Sequence, residues 1–416
     1  MTSRVAIDIP EIPPLDPSRF VDIDLFGQQI KADPSPWFLE WAKSPPFYVT
    51  IDGRPHAVIC RHEQVKWAFT EYQTISGAPQ PGWGADMFDY FNGLPLLTEF
   101  NPPEHTALRR LIQPGFTPRR VALYEAGINT LVDEMIGQVT AGGSFDMIGD
   151  LAAPLMHRLL LGTVLEIPEE DWTIFTSFSD VLELVATVPP GAPKPQAYMD
   201  AYDRAYDYCA RLIEQRRNQP PRDDLVGGII SAHDVNGTIS TEELFSVLIQ
   251  LFTAGLGTVV ATLGLCILRL CRHPDQLALL QQQPELLNGA IEECLRIDSL
   301  GNFRHRFVVK DCVVDGVPLY CGMVVHISMG ASNYDPDFYP DPARFDIRRD
   351  PKDISTFGHG PHFCIGNILA RKVLRRVIGQ LVALFPDIRL ADPDTTIVYG
   401  GMPTERFPLQ VQLRVD

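Results

Sequence analysis

The chain has 416 residues, enough to bury roughly 75% of its unfolded surface without disulfide or metal staples. Apolar residues make up 45% and charged residues 21%, values that exclude global disorder. Lys and Arg total 35 against 52 Asp and Glu, a net charge of -17, and this acidic balance excludes nucleic acid as a general partner.

Residues 1–35 read as an extended N-terminal leader, because Pro10, Pro13, Pro14 and Pro17 deny it helix and it has no apolar signal-peptide core. The remainder, 36–416, reads as one domain. The runs FYVTI and HAVIC flank Asp52-Gly53 and predict a β-hairpin. From about residue 104 to 300 the pattern is mainly helical. RVALYEAGINTLVDEMIGQV predicts one helix, and a long one is predicted from Thr241 to Cys271, with Leu244, Val247, Leu248, Leu251, Phe252, Val259 and Thr262 at helical spacing. No stretch is expected to reach the roughly 18 apolar residues of a membrane span. Short β pieces (FVVKDCVV, VVHIS), a proline-rich irregular stretch, a helix after Cys364 and an irregular β tail complete the chain. The fold class is mainly α with minor β-sheets. None of the eight cysteines forms a CxxC pair, so no zinc ribbon or redox pair is suggested, and an even count in a long chain without a signal peptide predicts reduced thiols and a cytoplasmic protein.

The segment Phe357 to Gly366 places Cys364 at the mouth of a helix after a glycine-rich loop, where backbone N–H groups and the helix dipole favour a thiolate. Gly360 permits a tight turn, and Gly366 leaves space for a flat partner. A planar metal cofactor held by one thiolate meets these demands. A buried core cysteine and a zinc site made of His359, His362 and Cys364 are the other readings, the latter lacking an evident fourth ligand.

This segment resembles the haem-binding signature of cytochromes P450, FxxGxxxCxG, through Phe357, Gly360, Cys364 and Gly366, with the family's frequent histidine at His362. The resemblance implies a single-domain P450 fold, haem b (iron protoporphyrin IX) as cofactor, and Cys364 as axial ligand of its iron. Glu293 and Arg296 form an ExxR, which the family completes with an arginine from a PxRF-like meander, here Arg344 in Pro342–Phe345. Without the resemblance, such a pair reads as a solvated helix-surface bridge. Asn101 to Arg110 resembles the family's DPPEHTRLRR, with Asn101 kept as an N-cap residue. His105 and Arg109 share one helical face, and with Arg306 and His362 they are implied haem-propionate donors. Asn333 to Pro336 resembles the family's N-R-D-P with Tyr334 in place of arginine, to which no role is assigned.

Ala254-Gly255-Leu256-Gly257-Thr258 is expected to interrupt the long helix, since two interior glycines cost roughly 1 kcal/mol each. Tight helix packing is one reading, and local opening over a cofactor is the other. The family's [AG]Gx[DE]T places Ala254 and Gly255 beside the cofactor and Thr258 as the hydroxyl that hydrogen-bonds oxygen. Gly257 replaces the acid, so protons are expected to arrive through water held by Thr258 and by carbonyls that the glycines free.

The resemblance also implies a substrate pocket lined by Met87, Phe88, Phe91, Leu94, Val181, Leu184, Val185, Leu251, Leu300, Phe303 and Met402. These side chains suit a small or medium lipophilic molecule (terpenoid, steroid-like or aromatic), and no Arg or Lys cluster among them suggests a carboxylate or phosphate anchor. Arg110, Arg371, Lys372, Arg375 and Arg376 form an implied docking face for an electron donor, a [2Fe-2S]-type or other small ferredoxin reduced by an NAD(P)H-dependent reductase. The expected activity is haem-thiolate hydroxylation with O2 and two electrons. A non-catalytic haem-thiolate sensor, and a peroxide-using P450 favoured by Gly257, are the alternatives.

Overall fold

The computed structural model describes residues 10–80, 82–83, 89–140, 143–186, 188, 192–220, 222, 224–236 and 240–415. Met87 and Phe88 lie outside the described residues.

Asp52 and Gly53 both take left-handed backbone angles (φ 50° and 73°), as a two-residue type I′ hairpin requires. Strands Phe47–Ile51 and Arg54–Ile59 therefore pair from Phe47 with Val58 to Ile51 with Arg54. The hairpin enters a five-stranded sheet in the order Phe47–Ile51, Arg54–Ile59, Val324–Ser328, Phe303–Val308, Ile75–Ser76. Arg54–Ile59 and Val324–Ser328 run parallel, so this sheet joins segments far apart in the chain. Every residue of Val324–Ser328 is buried, which fits its central place and its apolar sequence.

Helix Thr241–Arg272 runs through the core. Its start is a capping box: the Ser240 hydroxyl accepts from the Glu243 backbone N–H, and the Glu243 carboxylate accepts from that of Ser240. The helix is continuous across Gly255 and Gly257, so the expected interruption does not occur. Packing against neighbouring elements along most of its length supplies the stability that two glycines subtract. The expectation that no segment reaches membrane-span length is also corrected: this helix is long and apolar enough, with a mean hydropathy of 2.1 over 18 residues. Within that window 61% is buried inside the protein, the environment of a core helix.

Two further expectations change. The leader is not extended throughout: a turn at Pro17–Arg19, capped by Asp16, and a helix at Gln28–Ala32 form within it. Arg406 explains the second, donating to the carbonyls of Lys31 (2.8 Å) and Ala32 (3.1 Å), while the Lys31 ammonium donates to those of Gly401 and Met402. The leader is thus stitched to the C-terminal tail. The segment RVALYEAGINTLVDEMIGQV divides at Tyr124 into helices Pro118–Leu123 and Glu125–Thr140.

Candidate active site

The cysteine loop is built by backbone geometry. Gly358 and Gly360 take φ of 69° and 64°. A Cβ on Gly360 would lie 2.8 Å from Thr70 Cγ2 and 3.1 Å from the Phe69 carbonyl oxygen, so only glycine fits there. The Cys364 N–H donates to the Phe357 carbonyl (2.9 Å), and helix Asn367–Leu384 begins directly after Gly366. A Cβ on Gly366 would meet nothing within 4 Å, the open space that a flat partner needs. The Phe357 ring lies 4.3 Å beneath the Arg371 guanidinium, which is itself bound to Glu292. Burial pushes the Cys364 thiol pKa up, opposed by the Gly366 backbone and by Arg109, Arg304 and Arg371.

His105 and His362, far apart in sequence, meet with ring centroids 4.2 Å apart. Burial, helped by Arg109 and Arg306, holds the His105 pKa down to about 4, and burial with Arg306, His105 and Arg109 takes His362 down to about 2. Both imidazoles are neutral at pH 7. His105 Nε2 and both ring nitrogens of His362 are buried without a hydrogen-bond partner. Arg109 donates to the Phe363 carbonyl (2.7 Å), and Arg306 to the His305 carbonyl (2.9 Å). Arg306 is only 6% exposed, and burial lowers its pKa to about 10. Neither guanidinium pairs with a carboxylate among the described residues. Buried cations and unsatisfied imidazoles are costly unless an acceptor arrives. The propionates of a haem would supply it, so the residues present fit that group.

The zinc reading fails on geometry. His359 turns away from Cys364: its Nε2 lies 2.9 Å from the Ser355 hydroxyl, and its Nδ1 is 3.7 Å from Asp353. No group of three or more metal-ligating side chains occurs among the described residues.

Glu293 and Arg296 are each 0% exposed and joined by two hydrogen bonds of 2.7 and 2.8 Å, so this is not a solvated bridge. Arg296 also donates to the Asn333 and Pro342 carbonyls at 2.8 and 2.9 Å. The third member is corrected: Arg344 has 65% of its side chain exposed and faces Asp346, contributing only its carbonyl. Arg349 completes the lock, donating to Glu293 at 3.1 Å and to the Pro340 and Asp341 carbonyls. Tyr334 also has a place, its hydroxyl donating to the Ile297 carbonyl (2.9 Å) beneath the Arg296 guanidinium. Asn101 does not cap its helix. Its side chain binds Ser76 and Gly77, and the helix Glu104–Ile112 follows Pro103.

On helix Thr241–Arg272, Ala254 is exposed and Gly257 and Thr258 are half-buried, although neighbouring Phe252 and Leu256 are buried. Small residues therefore leave an uncovered strip on a core helix. Gly255 belongs to another face and is corrected to a packing residue, since a Cβ there would collide with Leu160 at 2.6 Å. At Gly257 a Cβ would sit 3.7 Å from the Phe407 ring, an ordinary contact. The Thr258 hydroxyl donates to the Ala254 carbonyl (2.7 Å) and Thr262 to that of Thr258, so the carbonyls expected to be freed are in use.

The cytochrome P450 family model matches residues 39–387. The chain is 32% identical to "Cytochrome P450 130" of Mycobacterium tuberculosis over 92% of this chain and 95% of that one. It is 34% identical to the Vitamin D(3) 25-hydroxylase of Pseudonocardia autotrophica over 90% and 92%. The fold superposes on the myxobacterial cytochrome P450 CYP267B1 in complex with myristic acid with a TM-score of 0.85, 27% identity, and coverage of 94% and 98%.

The chain belongs to the cytochrome P450 family. It is accordingly an oxidoreductase of the monooxygenase family and, as a P450, binds haem b through a cysteine thiolate.

In this P450 the residues expected to line a pocket divide. Phe91, Leu94, Val185 and Leu300 are buried, Val181, Leu251 and Met402 are half-buried, and Leu184 is exposed. The loop carrying Phe91 and Leu94 is held to neighbouring helices: Tyr198 donates to the Tyr90 carbonyl, and the Leu97 N–H to the Gln250 side chain. Phe303 is corrected to a core residue, its ring packed among Phe26, Phe38, Trp41 and His326.

The basic face also divides. Arg371 and Arg375 share Glu292, Lys372 pairs with Glu125 at 2.7 Å, and Arg376 pairs with Asp133. These four cations thus meet three carboxylates within the molecule, which offset most of their charge. Arg110 is exposed and pairs with no carboxylate among the described residues.

Proposed function

We propose that this P450 hydroxylates a small or medium lipophilic substrate, receiving two electrons from a small ferredoxin served by an NAD(P)H-dependent reductase. The observation that carries this reading is the convergence around Cys364 of unpartnered imidazoles and two carboxylate-free guanidiniums. Cys364 would hold the iron, with His105, Arg109, Arg306 and His362 binding the cofactor's acidic edge. Bound haem supplies the activation of O2 that places one oxygen atom in a C–H bond and releases the other as water. Thr258 spends its proton on the Ala254 carbonyl, so its oxygen remains an acceptor that can orient water. Gly257 offers no titratable group, and water must carry the protons past it.

Relatives whose names print vitamin D3 and steroid oxidation, and a structural neighbour holding myristic acid, support a lipophilic substrate. Arg110, exposed and without a carboxylate partner among the described residues, supports an acidic donor docking there. The test is to screen terpenes, steroids and aromatic compounds for substrate-induced Soret shifts, then to supply ferredoxin, reductase, NADPH and 18O2. A hydroxylated product carrying one labelled oxygen is expected. Absence of both Soret shifts and labelled product across the panel contradicts the proposal.

Gly257 favours a second reading, leakage of reducing equivalents to peroxide. Gly257→Asp, which the space beside Phe407 admits, would then raise product per NADPH and lower peroxide. A parent that already couples tightly, unimproved by the acid, removes this reading.

A further inference from the structure

The pocket side of strand Phe303–Val308 carries a second guanidinium besides the one already described. Side chains alternate along a strand, so Arg304 and Arg306 project to one face while Phe303, His305 and Phe307 project to the other. The second set is accounted for: Phe303 packs against His326, and His305 lies against Phe307. The charges of the first set act on the groups around the cysteine. Arg306 acts on His105 and His362, and Arg304 is among the charges that act on the Cys364 sulfur.

The Arg304 guanidinium makes no hydrogen bond among the described residues. Its one carboxylate contact among these residues is Glu405, at 3.9 Å, and 47% of its side chain is exposed. That distance is too long for the paired bonds a guanidinium forms with a carboxylate. Glu405 comes from the C-terminal tail, bridging to Gly301 three residues after Met402, so strand and tail converge on one spot. A third polar group comes from Tyr90, whose side chain packs against the cluster of Trp83, Phe307 and Val324 on and beside the same strand. The Tyr90 hydroxyl is buried without a hydrogen-bond partner, and Glu405 and Arg304 follow burial among the influences on its pKa. Tyr90 belongs to the loop that leads to Phe91 and Leu94. A loosely held guanidinium and an unsatisfied phenol, set among apolar walls, form an acceptor-binding corner.

We infer that the substrate of this P450 carries a carboxylate, which Arg304 binds in place of Glu405 with the Tyr90 hydroxyl as second donor, while its apolar body fills the pocket. This names the substrate class of the monooxygenase reading above and rests on it. It also reverses the expectation that the pocket lacks a carboxylate anchor.

The test uses haem-loaded protein and three acids of different shape (dodecanoic acid, cholanic acid and 4-phenylbutanoic acid), each beside its methyl ester. Soret shifts are titrated with all six. At least one acid is expected to half-saturate at a concentration at least about tenfold below that of its ester, the factor a charge-assisted pair supplies. Arg304→Leu should abolish that advantage while haem content and the reduced CO spectrum stay those of the parent. Glu405→Gln should tighten acid binding by removing the resident competitor. Equal binding of acids and esters, or an advantage that survives Arg304→Leu, overturns the inference. So does loss of haem in Arg304→Leu, which would assign the guanidinium to the cofactor edge. A parent with no thiolate-type CO band would instead overturn the monooxygenase reading.

Discussion

The cysteine side of the molecule and the pocket side obey different physics. Glu293 and Arg296 are buried and Arg349 half-buried, each charge is answered by a hydrogen-bonded partner, and the backbone of Pro340–Arg344 is clamped by the same guanidiniums. On the pocket side, Thr258 bonds within its own helix, Arg304 and Glu405 stand 3.9 Å apart, and the Tyr90 hydroxyl has no partner. A fully satisfied network fixes one geometry, whereas an unsatisfied one awaits a ligand. The first region holds the cysteine loop in place through Asn333 and Thr356, and the second leaves donors and acceptors open to a ligand.

The largest expected effect breaks the satisfied side. Arg296→Ala removes the bidentate partner of the buried Glu293 and leaves it only Arg349, costing about 3–5 kcal/mol, and should yield protein that unfolds early and retains little haem. Thermal unfolding followed by circular dichroism checks this. Next comes acid. His56 lies 2.9 Å from His326 across the sheet, and burial, with Arg54, holds its pKa down to about 4. Its ordinary value in the unfolded chain is about 6.5. The unfolded state thus binds more protons, and the stabilisation present above pH 6.5 is lost as pH falls towards 4. The shift corresponds to about 3 kcal/mol at most. His56→Gln should flatten the profile of urea midpoint against pH between 6.5 and 4, and an unchanged slope would exonerate His56.

A sharper comparison lies within the lock. Arg349→Ala should cost about 1–3 kcal/mol, because it leaves Glu293 and two carbonyls short of a donor. Arg344→Ala should stay within about 0.5 kcal/mol, as exposed charges do. Equal losses would contradict the reassignment. The smallest effect belongs to the docking face. Arg110→Glu should slow reduction by ferredoxin and weaken its salt dependence, more than Arg376→Glu, since Arg376 already pairs with Asp133. Stopped-flow reduction at two salt concentrations ranks the two.

The same contrast governs what could be read from the sequence. Cys364, His105, Arg109, Arg306 and His362 stand at fixed places in short motifs, and the structure brings the two histidines into contact. The ExxR pair was legible, but its partner was not. Three arginines follow Pro342 within eight residues, and only the path of the meander, with Asp341 in a left-handed turn, decides that Arg349 returns to Glu293. Gly255 and Phe303 sit in recognisable patterns, yet their facing is set by Leu160 and by Phe38 and Trp41, which arrive from distant segments. Arg304 could have been found, since FRHRF puts it two positions from Arg306 on one strand face. Its pairing with Glu405 depends on where the tail returns and carries no local signal.

The central claim is that Cys364 supplies a thiolate to haem held by the imidazoles and guanidiniums gathered around it. The most direct measurement is the reduced, CO-bound absorption spectrum of the purified protein beside that of Cys364→His. The parent should show the red-shifted Soret band of thiolate ligation, and Cys364→His should lose it for a histidine-type band or lose haem altogether. A colourless parent, a histidine-type band in the parent, or a thiolate band that survives in Cys364→His would contradict the account.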